Sequence, residues 1–200
     1  MPIRRTALEA GERVLVHAPA ARDRAEFLAL VRESRALHRG WVSPPDDDAG
    51  FEAYCRRART DRHAGFLVRR AEDGALVGMV NVNEIVRGAF QSGYLGYWLG
   101  APFAGQGYMQ EGLSLAIRHA FGPLGLHRLE ANIQPANSRS RRLVRRLGFR
   151  KEGRSPRYLK ISGRWRDHDR FALLAEDWRA RNAGRPRRSS SRTERSRPRR

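Results

Sequence analysis

Gly105 and Gly107 stand two positions apart between an apolar strand pattern and a helical one. From Tyr94 to Leu99 the residues are aromatic or branched apart from Gly96. Gly100, Ala101 and Pro102 end the run, which predicts a strand. Beyond the glycines, Met109, Leu113, Ala116, Ile117, Ala120 and Phe121 recur at helical spacing. Strand, glycine turn and helix together can hold a phosphate. The first helical turn leaves amides without intrahelical partners at the positive end of the dipole, and glycines let an anion come close. The loop is not a P-loop, because no Lys-Ser/Thr pair follows the glycines. On these residues alone a nucleotide-phosphate loop and a tight turn both remain open.

The elements that must position this loop fit one domain. Two hundred residues allow a domain of ordinary size plus a tail. There is no apolar run of about 18 residues, and the N-terminus lacks the apolar core of a secretory signal, so no membrane partner is expected. The single cysteine, Cys55, leaves no internal disulfide, and the six histidines form no HExxH pair, so no metal is expected. A reducing, cytoplasmic setting is the default. The formal charge is +19, and the last 22 residues, Arg179 to Arg200, hold ten arginines against one glutamate. Arginine excess has two readings, codon composition and affinity for polyanions, RNA included.

Along the chain, residues 12–17 read as an opening strand. A helix is expected from Asp23, as N-cap, to His38. The loop Trp41-Val42-Ser43-Pro44-Pro45 breaks it, and a second helix covers roughly 49–59. Strands follow at 65–70 and 75–83, then the central strand and the long helix. His127 to Ile133 forms another strand. Asn137 is a natural N-cap, and Gly148 a natural C-terminal stop, for the next helix. Residues 157–161 and 165–174 read as a closing hairpin. From 179 onward the chain has no apolar face and reads as a basic, disordered Arg/Ser/Pro tail.

The loop and a second stretch, Asn137, Ser140, Leu147, Gly148 and Phe149, resemble in order and spacing the GNAT superfamily of N-acetyltransferases. Its loop reads Gln/Arg-x-x-Gly-x-Gly/Ala and its later helix Asn-x-x-Ser/Ala…Gly-Phe. The resemblance covers about residues 10–178. It implies an α/β fold: a single GNAT-type domain whose mixed, mostly antiparallel sheet is splayed between its fourth and fifth strands and flanked by helices. It also implies acetyl-CoA as co-substrate. The amides of Gly105, Gln106, Gly107, Tyr108 and Met109 would hold the pyrophosphate. Main chain at Leu99 would pair with the pantetheine arm and donate to the developing oxyanion. Asn137 and Ser140 would contact the arm and the sulfur. Two loop positions depart from the pattern: Ala104 stands for Gln/Arg, and Met109 for Gly/Ala, setting a larger side chain above the phosphate. Where many members carry a Tyr to protonate the thiolate, this chain has Val144. Ser140 becomes the first candidate acid and Tyr158 the second. Glu84, at a strand end, is the candidate base through water, against a reading as a surface carboxylate. Trp41 and Tyr97 are expected at the acceptor groove, although Trp41 also reads as a lid on the core.

Val86 to Phe90, Tyr94 to Tyr97 and the run Gly163-Arg164-Trp165-Arg166-Asp167-His168 resemble the RimJ-type ribosomal-protein-alanine N-acetyltransferases, which act on an N-terminal amine. That resemblance implies an acceptor protein N-terminus, such as one on the ribosome; RNA contact through the basic tail is the functional reading of the tail's charge. The Trp-Arg-Asp-His run also has a structural reading, as sheet geometry and an internal ion pair. An acetyltransferase for a small amine, an aminoacyl-nucleotide or an antibiotic would share every coenzyme motif. A non-catalytic CoA- or RNA-binding module is a third reading.

Overall fold

The computed structural model describes residues 7–183. Eight strands form one sheet: β1 (Glu9–Ala10), β2 (Val14–His17), β3 (Ala64–Arg70), β4 (Leu76–Val86), β5 (Ser92–Leu99), β6 (Arg128–Ile133), β7 (Arg150–Ile161) and β8 (Arg164–Leu174). Their order is β1-β2-β3-β4-β5-β6-β8-β7. Every neighbouring pair is antiparallel except β5 and β6. The helices are α1 (Arg24–Glu33), α2 (Arg35–His38), α3 (Asp48–Arg57), α4 (Tyr108–Phe121), α5 (Ser138–Arg146) and α6 (Ala175–Asn182). None of the described helices is long and apolar enough to cross a membrane.

Continuous apolar runs in β3 and β4 mark strands covered on both faces, and Phe66 to Val68 and Leu76 to Val82 are buried throughout. The two covers differ. A Cβ on Gly78 would meet Met109 of α4 at 3.0 Å. The next residue, Met79, lies opposite Trp98, whose ring packs edge-on against Phe27 of α1 at 5.2 Å. Since neighbouring residues of a strand point to opposite faces, α4 covers one face and α1 the other.

The single helix expected over 23–38 is broken at Ser34. The buried Ser34 Oγ accepts a bond from the Ala101 amide at 2.8 Å, a tertiary contact that local pattern does not show. Nor does Asp23 cap the helix with its side chain. Its carboxylate accepts from the Ala20 amide and pairs with buried Arg69 at 2.8 Å.

β5 and β6 pair only over Ser92–Tyr94 and Arg128–Glu130, then part. Leaving aside the two-residue β1, these are the fourth and fifth strands, and the mixed, mostly antiparallel sheet opens where the resemblance implies. At the C-terminus, α6 continues through Asn182 with Ala175 buried and Trp178 packed on the core, so residues 179–182 are helical rather than the start of a tail. The basic stretch from residue 184 onward, and residues 1–6, lie outside the described residues.

Candidate active site

The glycine loop is shaped by backbone that only glycine adopts cheaply. Gly105 and Gly107 have φ of +80° and +82°, where an L side chain costs about 1–2 kcal/mol. Gly107 is the N-cap of α4. Among the described residues, the amides from Gly105 to Met109 donate to no backbone carbonyl. Five consecutive free N–H groups at the positive end of a helix suit a pyrophosphate. Arg13 adds a cation: Nη1 donates to the Gln106 carbonyl at 3.1 Å, and the guanidinium lies 4.9 Å over the Tyr108 ring. The Gln106 side chain turns away to the Pro102 carbonyl. Met109 does not stand above the phosphate position; its side chain is buried in the core, and only its amide faces the loop. Glu111 ties α4 to β2 by accepting from the Arg13 amide at 2.8 Å.

The end of β5 presents an unpaired edge. The Gly100 amide donates to the Val77 carbonyl of β4 at 2.8 Å. Antiparallel alternation therefore turns the polar groups of Tyr97 and Leu99 away from β4, toward the gap. Buried His38 donates from Nε2 to the Leu99 carbonyl at 2.9 Å, leaving the Leu99 amide for a ligand. Burial lowers the His38 pKa and keeps the ring neutral.

Across the gap, the Tyr97 hydroxyl and Ser140 Oγ share a hydrogen bond. The Ser140 amide donates to Asn137 Oδ1 at 3.1 Å, so Asn137 caps α5 and fixes the serine in its first turn. Burial pushes the Tyr97 phenol up to about 12, with the serine contact working the other way. The tyrosine-lacking position, Val144, is fully buried.

The other sequence candidates stand apart from this pair. Tyr158 packs with His168 at 6.0 Å between ring centroids and neighbours Tyr94. Tyr94 and Tyr97 are an odd number of residues apart on β5, so Tyr158 and Ser140 lie on opposite faces. Glu84 has φ of +48°, at a break in the β4–β5 register, and is held by Arg62 at 2.6 Å with His63 at 3.6 Å. It lies level with Tyr94, three residues or about 10 Å of strand from Tyr97. That is beyond direct proton transfer, and only water could link the two levels. Trp41 is 39% exposed, in a loop that the Gln134 side chain grips by the Gly40 carbonyl at 2.8 Å. The loop after α2 thus reaches from the β5 side to the β6 side.

Three further residues escape sequence reasoning. His38 and Gln134 act through contacts 61 and 94 positions away. Asn132 on β6 keeps a buried Oδ1 with no partner. No local signal distinguishes any of them.

Comparison with known proteins places this geometry. Residues 13–150 match the model of the acetyltransferase (GNAT) domain. A probable N-acetyltransferase of Bacillus subtilis, YjcK, is 33% identical over 175 residues, 84% of this chain and 97% of that protein. The ribosomal protein uS5-alanine N-acetyltransferase of Escherichia coli is 44% identical over 107 residues, 54% of this chain and 55% of that enzyme. The chain thus spans about half the length of that relative. Among solved structures, Mycobacterium smegmatis RimJ in complex with CoA-disulfide superposes with a TM-score of 0.75 at 29% identity, covering 86% of this chain and 90% of that one. With the family's model spanning the loop, the open strand edge and the helix that carries Ser140, the chain belongs to the GNAT acetyltransferase family.

Proposed function

We propose that this chain is an acetyl-CoA-dependent N-acetyltransferase that passes the acetyl group directly to the N-terminal α-amine of a protein, in the manner of the ribosomal-protein-alanine enzymes. The observation that carries the reading is the open β5 edge, with the free-amide loop at the same end and the Tyr97–Ser140 pair beside it. Acetyl-CoA would bring an activated acyl group as a thioester. The loop amides and Arg13 hold the pyrophosphate. Backbone groups of Tyr97 and Leu99 bind the arm as a missing strand would. The Leu99 amide donates to the thioester oxygen as negative charge gathers on it. Ser140, held by Asn137 and Tyr97, donates to the departing sulfur. Asn132 Oδ1 offers an acceptor to the incoming amine, and Glu84 takes its proton through water.

The choice of amine follows from acidity. At pH 7.5 about a third of an α-amine is neutral, against about one lysine in a thousand. A site whose only carboxylate candidate is ten ångströms along the strand suits the α-amine. The Escherichia coli relative acts on ribosomal protein uS5 alanine by its name, which supports a ribosomal acceptor here. Incubation with acetyl-CoA and two peptides tests this. One starts with a free alanine; the other is N-terminally blocked and holds an internal lysine. Mass spectrometry should show one acetyl group on the first and almost none on the second. Equal labelling, or labelling of the lysine alone, would refute the reading.

A further inference from the structure

Gly96 lies between Tyr94 and Trp98 on β5, and the three positions face the same side of the sheet, the α1 side. α1 covers Trp98, but beyond it the cover gives out. Tyr94 and Gly96 are only half-buried, as are Glu130 and Asn132 on β6, while Leu129, Ala131 and Ile133, on the other face, are buried. Tyr94 pairs with Glu130, so Asn132, two residues on, stands level with Gly96. A trough thus runs along this face of the seam. The Trp41 loop, held by Gln134, forms one rim. The β7–β8 hairpin forms the other. There the Asp167 carboxylate accepts from the Arg157 amide at 2.9 Å and from Arg154 Nη2 at 2.7 Å. These bonds hold the irregularity, with Arg157 at φ of +48°, that sets Tyr158 beside Tyr94.

The floor of the trough lies behind the reacting atoms. Tyr97, the residue after Gly96, faces the opposite side and pairs with Ser140, whose hydroxyl would donate to the sulfur. An amine entering from the trough must come within about 3–3.5 Å of the thioester carbon. Its path crosses Gly96, because Tyr94 and Trp98 carry rings on either side. The first Cα of the acceptor, one bond from that nitrogen, is then over the glycine too. Backbone does not demand glycine here, since Gly96 is not among the residues with positive φ. What the position lacks is a side chain. A Cβ built on Gly96 would meet, within 4 Å, only Asn83 Nδ2, at 3.1 Å. Asn83 is itself half-buried, on the same face of β4. The space above the glycine therefore holds a methyl group and leaves no room for a branch.

We infer that Gly96 sets the size of the acceptor's first residue. Its bare Cα, with Asn83 alongside, forms a slot that takes the one-carbon side chain of alanine, admits glycine, and turns away β-branched residues. The inference rests on the α-amine acceptor proposed above and names the residues that select it. Packing decides the selection rather than hydrogen bonding, so discrimination per carbon is modest and falls steeply once the slot is full.

Three peptides that differ only in a first residue of glycine, alanine or valine test the slot, with acetylation by the full chain followed by mass spectrometry. The unaltered chain should favour alanine over valine at least about tenfold in kcat/KM. Gly96→Ala should lower the alanine-to-glycine ratio by about 10- to 200-fold, the worth of one carbon in a fitted pocket, while CoA affinity in calorimetric titration stays within a few-fold. Asn83→Ala should act the other way and raise the valine-to-alanine ratio about tenfold. If Gly96→Ala fails to fold, Asn83→Ala decides alone. Conjugates in which the CoA sulfur carries each peptide through an acetyl bridge read the slot without turnover, and their affinities should follow the same order. Selective binding of the alanine conjugate without acetylation of any peptide would sink the acceptor reading and leave the slot standing. Equal rates with all three peptides, or unchanged ratios in the variants, overturn the inference and leave the α-amine reading intact.

Discussion

Tyr97 and Ser140, 43 positions apart in sequence, meet hydroxyl to hydroxyl across the gap where β5 and β6 part. With the phenol pushed up to about 12, Tyr97 keeps its proton at any working pH and can donate it to Ser140 Oγ. With Tyr97 as donor, the serine's own proton would be free to point at the sulfur of a bound thioester. Full transfer from so weak an acid to a thiolate of pKa about 8.5 is uphill by more than three powers of ten. In the proposed reaction the pair would therefore stabilise the leaving group by a hydrogen bond and leave its final protonation to water.

Ser140→Ala should lower kcat by about 10²–10³-fold, the cost of losing one donor to developing charge, while the affinity for acetyl-CoA changes only a few-fold. Tyr97→Phe, which keeps the ring and loses one hydrogen bond, should cost about tenfold. The double variant should be no slower than Ser140→Ala alone, because the two act as one unit. Additive losses in stopped-flow or steady-state rates would show that they act separately.

Gly107→Val should abolish CoA binding in calorimetric titration while the domain stays folded. The new side chain would sit at a φ of +82°, with its Cβ 3.2 Å from Arg13 Nη2. It would block the approach of the pyrophosphate and displace the neighbouring cation. The strain of about 1–2 kcal/mol should lower Tm by a few degrees. Near-normal CoA affinity would reduce the loop to a turn.

Glu84→Gln should slow acetylation mainly below pH 8, where the acceptor is largely ammonium, and most of the loss should vanish as pH rises past the α-amine pKa of about 8. A pH–rate profile identical to the unaltered chain would leave Glu84 as a partner of Arg62 and His63 and nothing more.

Stability should fall as pH drops. Burial lowers the pKa values of His17, His38 and His119. Below the ordinary value of about 6.5 the unfolded chain binds protons that the folded chain refuses, so the native state loses ground until its own histidines titrate. Urea midpoints should be flat from pH 8 to 7 and decline from 6.5 to 5. His38→Gln, which can still donate to the Leu99 carbonyl, should shrink that decline. An unchanged decline would mean that His38 takes up its proton without penalty.

The parts of the site that sequence reveals are those written within a few residues. Gly105 and Gly107 advertise left-handed backbone, the apolar stripe after them advertises α4, and Asn137 followed by Ser140 advertises a capped helix. Residues joined by the fold leave no such trace. Ser34 looks like any helical serine until Ala101 is brought to it, and His38 like a helix-end cation until Leu99 arrives. Met109 shows the converse: its position in the loop pattern suggested a side chain over the phosphate, but burial against Gly78 won. The sheet was legible because β3, β4 and β5 have strong strand composition; where Glu84 points was not, since it depends on Arg62, just before the neighbouring strand β3.

Only three residue pairs, Ser92–Tyr94 with Arg128–Glu130, stitch strands β1 to β5 to the rest of the sheet. The molecule is in this sense two plates joined by a short seam, and the Tyr97 and Leu99 amides, which face the gap, should exchange with deuterium fastest within the central strands. Coenzyme bonded along that edge would brace both plates at once. Its contribution would grow with concentration, reaching about 2.7 kcal/mol at a hundred times its Kd. Resistance of this chain to proteolysis would then track the acetyl-CoA supply of the cell that holds it, so that starvation for acetyl groups both idles the enzyme and loosens it for turnover.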